Sequence, residues 1–231
     1  MTSSLPRMRT VMTTLLQHVI TLQLRHLVQL SSEDYDDAST RAAAMSASTK
    51  VVAALCTVTQ QDLMTLDGDA WVNDTVMYSY LSRSEDSTQV GEIYVLPSFL
   101  AVRWQSGQYS TVELLYSKVK IRRFRWLLLP LHVNGNHWAL LIADVQALTV
   151  GVADSLRTSS SLEYIVHFKR YVAARVEMTD KLVAWTDVEY TIQRQNDGTI
   201  CGVLARMAAE AAAQGQPLST VDPGSVSFYR R

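Results

Sequence analysis

Cysteine is scarce in this chain: of 231 residues only Cys56 and Cys201 carry a thiol. Two thiols make no disulfide framework, and with the scattered histidines they do not meet the spacing of a zinc site. A reduced protein of the nucleus or cytoplasm with one special thiol is expected, with no metal and no cofactor. An excess of positive charge is missing too. The net charge of −1 supplies no basic field to attract nucleic acid. Long hydrophobic runs are absent: a stretch such as Trp126-Leu-Leu-Leu-Pro-Leu131 is far too short to cross a bilayer. There is no Gly-x-Ser-x-Gly elbow, no phosphate-cradling glycine loop, no dinucleotide fingerprint and no internal repeat.

Acidic residues are missing from the first 32 positions, which hold Arg7, Arg9 and Arg25 among many Ser and Thr. That composition resembles a mitochondrial transit peptide. Val11, Leu15, Val19 and Leu22 recur at helical spacing, so an amphipathic helix over about 9–30 is the preferred reading. The acidic break Ser31–Asp37 and a small-residue stretch to Lys50 then read as a linker. Residues 1–50 are thus expected to be helix and linker, 51–215 one globular domain and 216–231 a C-terminal tail. With 48% hydrophobic residues the chain can bury a sizeable core.

Within the globular part, Asp69–Asp74 reads as a turn feeding a helix from Thr75, with Asp74 placed to cap it. Ile93 to Val102 is mixed and begins as a strand. The nearly continuous apolar run 124–133 reads as a buried strand, and Asn134-Gly135 as a two-residue turn. His137–Val145 is the partner strand and Leu148–Ala153 a third. A helix over 159–176 is expected to be amphipathic through Leu162, Ile165, Val166, Phe168 and Val172. Residues 181–190 read as a candidate added strand, and Cys201–Ala213 is helix, ended by Gly215 and Pro217. The fold class is α+β, a central, mainly antiparallel sheet with helices on both sides.

Chemistry concentrates at four positions. Cys201 stands where a polar, glycine-containing loop becomes an apolar helix. Unpaired amides and the helix dipole there favour a thiolate. Cys56, in an apolar stretch, fits a buried structural cysteine. His137 follows the turn and opens a strand, so its ring can face a cleft while Trp138 points to the other side of the pleat. Asp154 follows 17 residues later, at the end of the third strand, where its carboxylate can fix the imidazole. An aspartate there is otherwise an ordinary turn-former. Gln195, six residues before Cys201, offers an amide that with the Cys201 N–H can hold an oxyanion. His132 sits inside a strand, and His18, His26 and His167 have helical neighbours and no chemical company. The basic stretch Lys118–Arg125 reads as a solvated face.

The order His, Asp, Gln, Cys and these spacings resemble the ubiquitin-like-protein proteases, which include the SUMO-specific (sentrin-specific) proteases and deneddylases, with adenoviral protease a distant relative. Leu66-Asp-Gly-Asp-Ala-Trp71-Val-Asn-Asp74 is similar to that family's W-L-N-D motif, and Leu129-Pro-Leu-His-Val to its strand before the histidine. The resemblance covers about 55–212. It implies Cys201 as nucleophile, His137 as general base, Asp154 as its orienter and Gln195 as oxyanion donor. It implies that Trp71 and Trp138 flank a tunnel for a Gly-Gly tail and that Asp74 contacts the modifier's folded body. The implied partner is a ubiquitin-like modifier, SUMO or Nedd-type, and its conjugates, met by a monomer. Two positions depart from the pattern: Ile200 stands where the family commonly has Asp, and Asp197 where Asn is common. Two alternatives stay open: an adenain-like or mobile-element-encoded protease with a non-modifier substrate, and a catalytically impaired modifier-binding module.

Overall fold

The computed structural model describes residues 50–53, 56–66, 69–87, 92–109, 119–175 and 185–226. The expected N-terminal helix and linker, Lys118 of the basic stretch, residues 181–184 of the added strand and the end of the C-terminal tail lie outside the described residues, as does the Cys56 side chain.

A hairpin of β1 (Lys50–Ala53) and β2 (Cys56–Thr59) leads into a one-turn helix, α1 (Gln60–Leu63). A capping box closes α1: the Thr59 side chain accepts from the Asp62 N–H, and the Asp62 carboxylate accepts from the Thr59 N–H. Helix α2 (Asp74–Ser87) follows. Its cap is Asn73, whose Oδ1 accepts from the Val76 N–H at 2.9 Å. Asp74, expected to be the cap, instead accepts from its own neighbour, the Thr75 N–H, at 2.9 Å and remains exposed. The cap falls one residue earlier because the Asn73 amide is already held by Asp62, its Nδ2 donating at 2.7 Å.

The central sheet has the order β3 (Ile93–Val95), β4 (Trp126–Val133), β5 (His137–Asp144), β6 (Thr149–Ala153) and β7 (Thr186–Asp187). The middle three strands are antiparallel, whereas β3 and β7 run parallel to their neighbours. Parallel neighbours need a long crossover. One crossover carries α3 (Phe99–Gln105), where only the first residues of 93–102 are strand, and the other carries α4 (Ser159–Ala173). The β4–β5 turn forms at Asn134 and Gly135, both at positive φ (53° and 77°), as an Asn-Gly hairpin requires. Pro130 is tolerated inside β4 because β3 ends opposite Leu128, leaving no strand among the described residues on that side to require its missing N–H.

Strands β4 and β5 are apolar throughout because both sheet faces are covered. On one face Leu128, Trp138, Leu140 and Ile142 pack with α2 and with α5 (Cys201–Ala213). On the other, Leu127, Leu129, Leu141 and Ala143 pack with Trp104 of α3 and Tyr164, Phe168 and Tyr171 of α4. Of the five apolar residues expected to bury α4, Leu162 and Val166 are exposed, at 56% and 69%. They lie beside a groove between α4 and residues 187–191. After α5 the chain does not leave as a tail: Leu218, Val221 and Val226 return into the first core.

Candidate active site

The antiparallel β5–β6 register, with Leu140 opposite Ala153, brings the start of β5 beside the end of β6. His137 and Asp154, 17 residues apart in the chain, meet there, with His137 Nε2 2.7 Å from Asp154 Oδ1. Both are buried, His137 at 3% exposure and Asp154 at 6%, so the ring lies under a roof rather than in an open cleft. Asp154 is also the turn-former that its position suggested. Its carboxylate accepts from the backbone N–H groups of Leu156 (2.8 Å), Arg157 (3.2 Å) and Thr158 (3.0 Å), and from the Thr158 hydroxyl at 2.6 Å. Burial opposes its charge, but these donors and His137 outweigh burial and hold the carboxyl below its ordinary range.

Cys201 is the first residue of α5, 2% exposed and not in a disulfide. Burial pushes the thiol up. The His137 imidazole, together with the backbone N–H groups of Trp138 and Gly202 that donate toward the sulfur, pulls it further down, so it ionises below its ordinary value. For His137 burial again acts first, favouring the neutral ring, yet Asp154 on one side and Cys201 on the other raise it to about 9. Asp154 holds Nε2, and Nδ1 is buried with no other partner among the described residues, so Nδ1 is the nitrogen left to the thiol.

Gln195 is buried in the loop before α5, and the loop is pinned to the end of β6 by the Gln195 N–H donating to the Ser155 carbonyl at 3.2 Å. Its Oε1 accepts from Ser155 Oγ at 2.6 Å and its Nε2 donates to the Asp197 carbonyl at 2.7 Å. Trp138 is buried, and its indole N–H donates to the Val72 carbonyl at 2.7 Å, tying the 71–73 segment to β5. Trp71 next to that tie is 47% exposed. The structure thus brings His137, Asp154, Cys201 and Trp138 together, holds Gln195 buried on Ser155 next to Asp154 in the chain, and leaves Trp71 and Asp74 at the surface.

The residues alone did not reveal the supporting groups Asn73, Ser155, Thr158 and Gly202. Gly202 is a close-approach position: a Cβ there would stand 3.0 Å from the Val72 Cβ and 3.3 Å from Trp138 Cδ1. The Cys-Gly pair was visible in the sequence, but the need for glycine follows from the chain crossing above it. His132 packs its ring on Trp138, centroids 4.8 Å apart. His167 does have polar company, since its Nδ1 is hydrogen-bonded to the Tyr109 hydroxyl from another element.

Residues 70–230 match the sequence profile of the Ulp1 protease family, C-terminal catalytic domain. Sentrin-specific protease 3 of Mus musculus is 30% identical over 166 residues, 70% of this chain and 29% of that protein. Ubiquitin-like-specific protease 1 of Saccharomyces cerevisiae is 25% identical over 70% of this chain and 26% of that protein. The chain spans less than a third of the length of these curated relatives. Among solved structures, the C-terminal Ulp1 protease domain in complex with Smt3, the yeast ortholog of SUMO, superposes with a TM-score of 0.74 at 23% identity, covering 87% of this chain and 91% of that one. The catalytic domain of the Chaetomium thermophilum Ulp1-like SUMO protease gives 0.70 at 20% identity, over 87% and 86%. These likenesses establish the fold, and with the profile match the chain belongs to the Ulp1 protease family.

Proposed function

We propose that this chain is a thiol protease and isopeptidase that cleaves after the Gly-Gly tail of a ubiquitin-like modifier, SUMO before the Nedd type. The observation that carries the reading is the line from Asp154 through His137 to Cys201: a 2.7 Å carboxylate–imidazole bond, an Nδ1 left to the sulfur and a cysteine on the first turn of a helix. Family membership and the named activities of the relatives support it.

In this mechanism the Cys201 thiolate attacks the carbonyl carbon of the terminal glycine. Oxyanion charge is received by the Cys201 N–H and the Gln195 amide. As the C–N bond breaks, the His137 imidazolium gives its proton to the departing lysine amine, leaving a thioester. His137 then takes a proton from water, whose oxygen adds to the thioester. The C–S bond then breaks, the modifier leaves with a free carboxylate after losing its acid proton to solvent, and the thiolate is regenerated beside the His137 imidazolium. Asp154 keeps the imidazole in one orientation throughout. Burial of every catalytic group suits a tail without side chains: Trp71 and Trp138 would admit glycine and reject any residue with a Cβ. Asp74, exposed and three residues after Trp71, would meet the folded body of the modifier.

The test is reaction of the purified chain with SUMO, a Nedd-type modifier and ubiquitin, each bearing a C-terminal electrophile. The expected result is a covalent adduct with SUMO that is absent in Cys201→Ala. A folded chain that reacts with none of the three overturns the reading and favours a protease with an unrelated substrate or a binding module.

A further inference from the structure

The Gln195 amide has two ends of similar shape and opposite polarity, and only its NH₂ end can stabilise an oxyanion. We propose that Ser155 and Asp197 are positioning residues that fix which end of the Gln195 carboxamide faces Cys201; the proposal rests on the thiol-protease reading above. Two contacts hold the amide. Its Oε1 accepts from Ser155 Oγ at 2.6 Å, and its Nε2 donates to the Asp197 carbonyl at 2.7 Å. The carbonyl sets the polarity because it can only accept. A flipped amide would set Oε1 against another acceptor and lose that bond. The hydroxyl, free to rotate, then donates to the oxygen end and completes the lock. Ser155 is 1% exposed, so no water substitutes freely for it. Nε2 carries two hydrogens. One goes to Asp197, and the other is left for the reacting group.

The carbonyl of Asp197 is itself held in place by its own side chain. Asp197 Oδ1 accepts from the N–H groups of Thr199 at 2.8 Å and Ile200 at 3.0 Å, closing the turn that enters α5. Ile200, at the N-cap of α5, offers no side-chain acceptor. Asp197 therefore supplies the carboxylate at the start of the nucleophile helix and in the same residue sets the amide. Ser155 directly follows Asp154, so two successive residues at the end of β6 orient the two groups that assist Cys201: Asp154 the imidazole, Ser155 the amide.

The test is a pair of double-mutant cycles in the full chain, read by turnover of the modifier that forms the adduct, carried as a fluorogenic C-terminal amide. Gln195→Ala is expected to lower kcat by on the order of 10²-fold, as for loss of one oxyanion donor. Ser155→Ala should lower kcat about tenfold with KM unchanged, and the Ser155→Ala, Gln195→Ala double variant should be no slower than Gln195→Ala. Alkylation of Cys201 by iodoacetamide, which forms no oxyanion, should keep its wild-type rate in Ser155→Ala. Asp197 is exposed, so its variants remain informative even where Ser155→Ala does not fold. Asp197→Ala should slow turnover by a larger factor when Gln195 is present than in Gln195→Ala, and Asp197→Asn, which keeps an acceptor, should recover most of it. Multiplicative losses in the double variants, or alkylation that slows in step with turnover, overturn the proposal while leaving the thiol protease intact. Gln195→Ala at full activity overturns the oxyanion assignment itself.

Discussion

The Asp154 carboxylate accepts from three backbone N–H groups and the Thr158 hydroxyl while it holds His137 Nε2. One side chain closes the turn after β6 and orients the base, so the two readings of a strand-end aspartate describe the same residue. The consequence is a pH profile. The thiol is pulled below its ordinary value by the imidazole, and the imidazole holds its proton to about 9, so each group favours the charged form of the other. The acid limb of turnover should therefore lie below that of an ordinary thiol. Turnover should fall as pH rises through about 9, because the leaving amine then lacks a proton donor. Asp154→Asn removes a cause of the raised imidazole value, so that alkaline limb should move to lower pH while kcat drops by roughly 10²–10⁴-fold. Measuring kcat/KM and Cys201 alkylation against pH in both proteins checks this, and an unmoved limb would assign it to another group.

Helix α5 carries the nucleophile at one end and is buried along most of its length, from Cys201 to Ala212. Its first turn passes under Val72 and Trp138, which is why the residue after the cysteine is glycine. In Gly202→Ala the added methyl would meet the Val72 Cβ at 3.0 Å and Trp138 Cδ1 at 3.3 Å. Trp138 cannot retreat without losing its 2.7 Å bond to the Val72 carbonyl. Overpacking of this kind costs about 1–3 kcal/mol. The variant should show a lower Tm and a fall in turnover larger than any loss of modifier affinity, because the roof over the thiol shifts. A wild-type Tm and rate would show that the crossing is looser than its geometry. The Asn73 cap belongs to the same scale: Asp62, eleven residues upstream, fixes the amide, and no window around Asp74 contains that partner.

Across the whole molecule the sheet separates two cores, and neighbouring residues of β5 serve different ones. Leu140 packs with α5 and Leu141 with α4, and both are fully buried. Either leucine cut to alanine should cost about 2–5 kcal/mol in unfolding free energy. Only Leu140→Ala loosens the face that supports α5, so only it should also change the Cys201 alkylation rate at temperatures where both variants are folded. Equal effects on that rate would mean that the two cores are not mechanically separate. The same two-sided burial explains why β4 and β5 could be read from continuous apolar runs, and why the Asn-Gly turn between them could be placed to the residue. The α4 stripe was less legible: Leu162 and Val166 have helical spacing but border an open groove, and periodicity does not tell a covered face from a bare one.

Sequence by itself determined the order of elements around the site, the loop-to-helix change at Cys201, and the His, Asp, Gln, Cys spacing that the family shares. These are local properties, carried by periodicity, turn chemistry and residue type. Only the tertiary structure decided that β3 and β7 run parallel to their neighbours, that the segment beyond Gly215 returns to the core, and that Ser155, Asp197 and the Val72 carbonyl hold Gln195 and Trp138. Those contacts join residues far apart in the chain or depend on which side of a turn a carbonyl faces. They follow from how strands register and helices pack, and no local pattern of residue types encodes them.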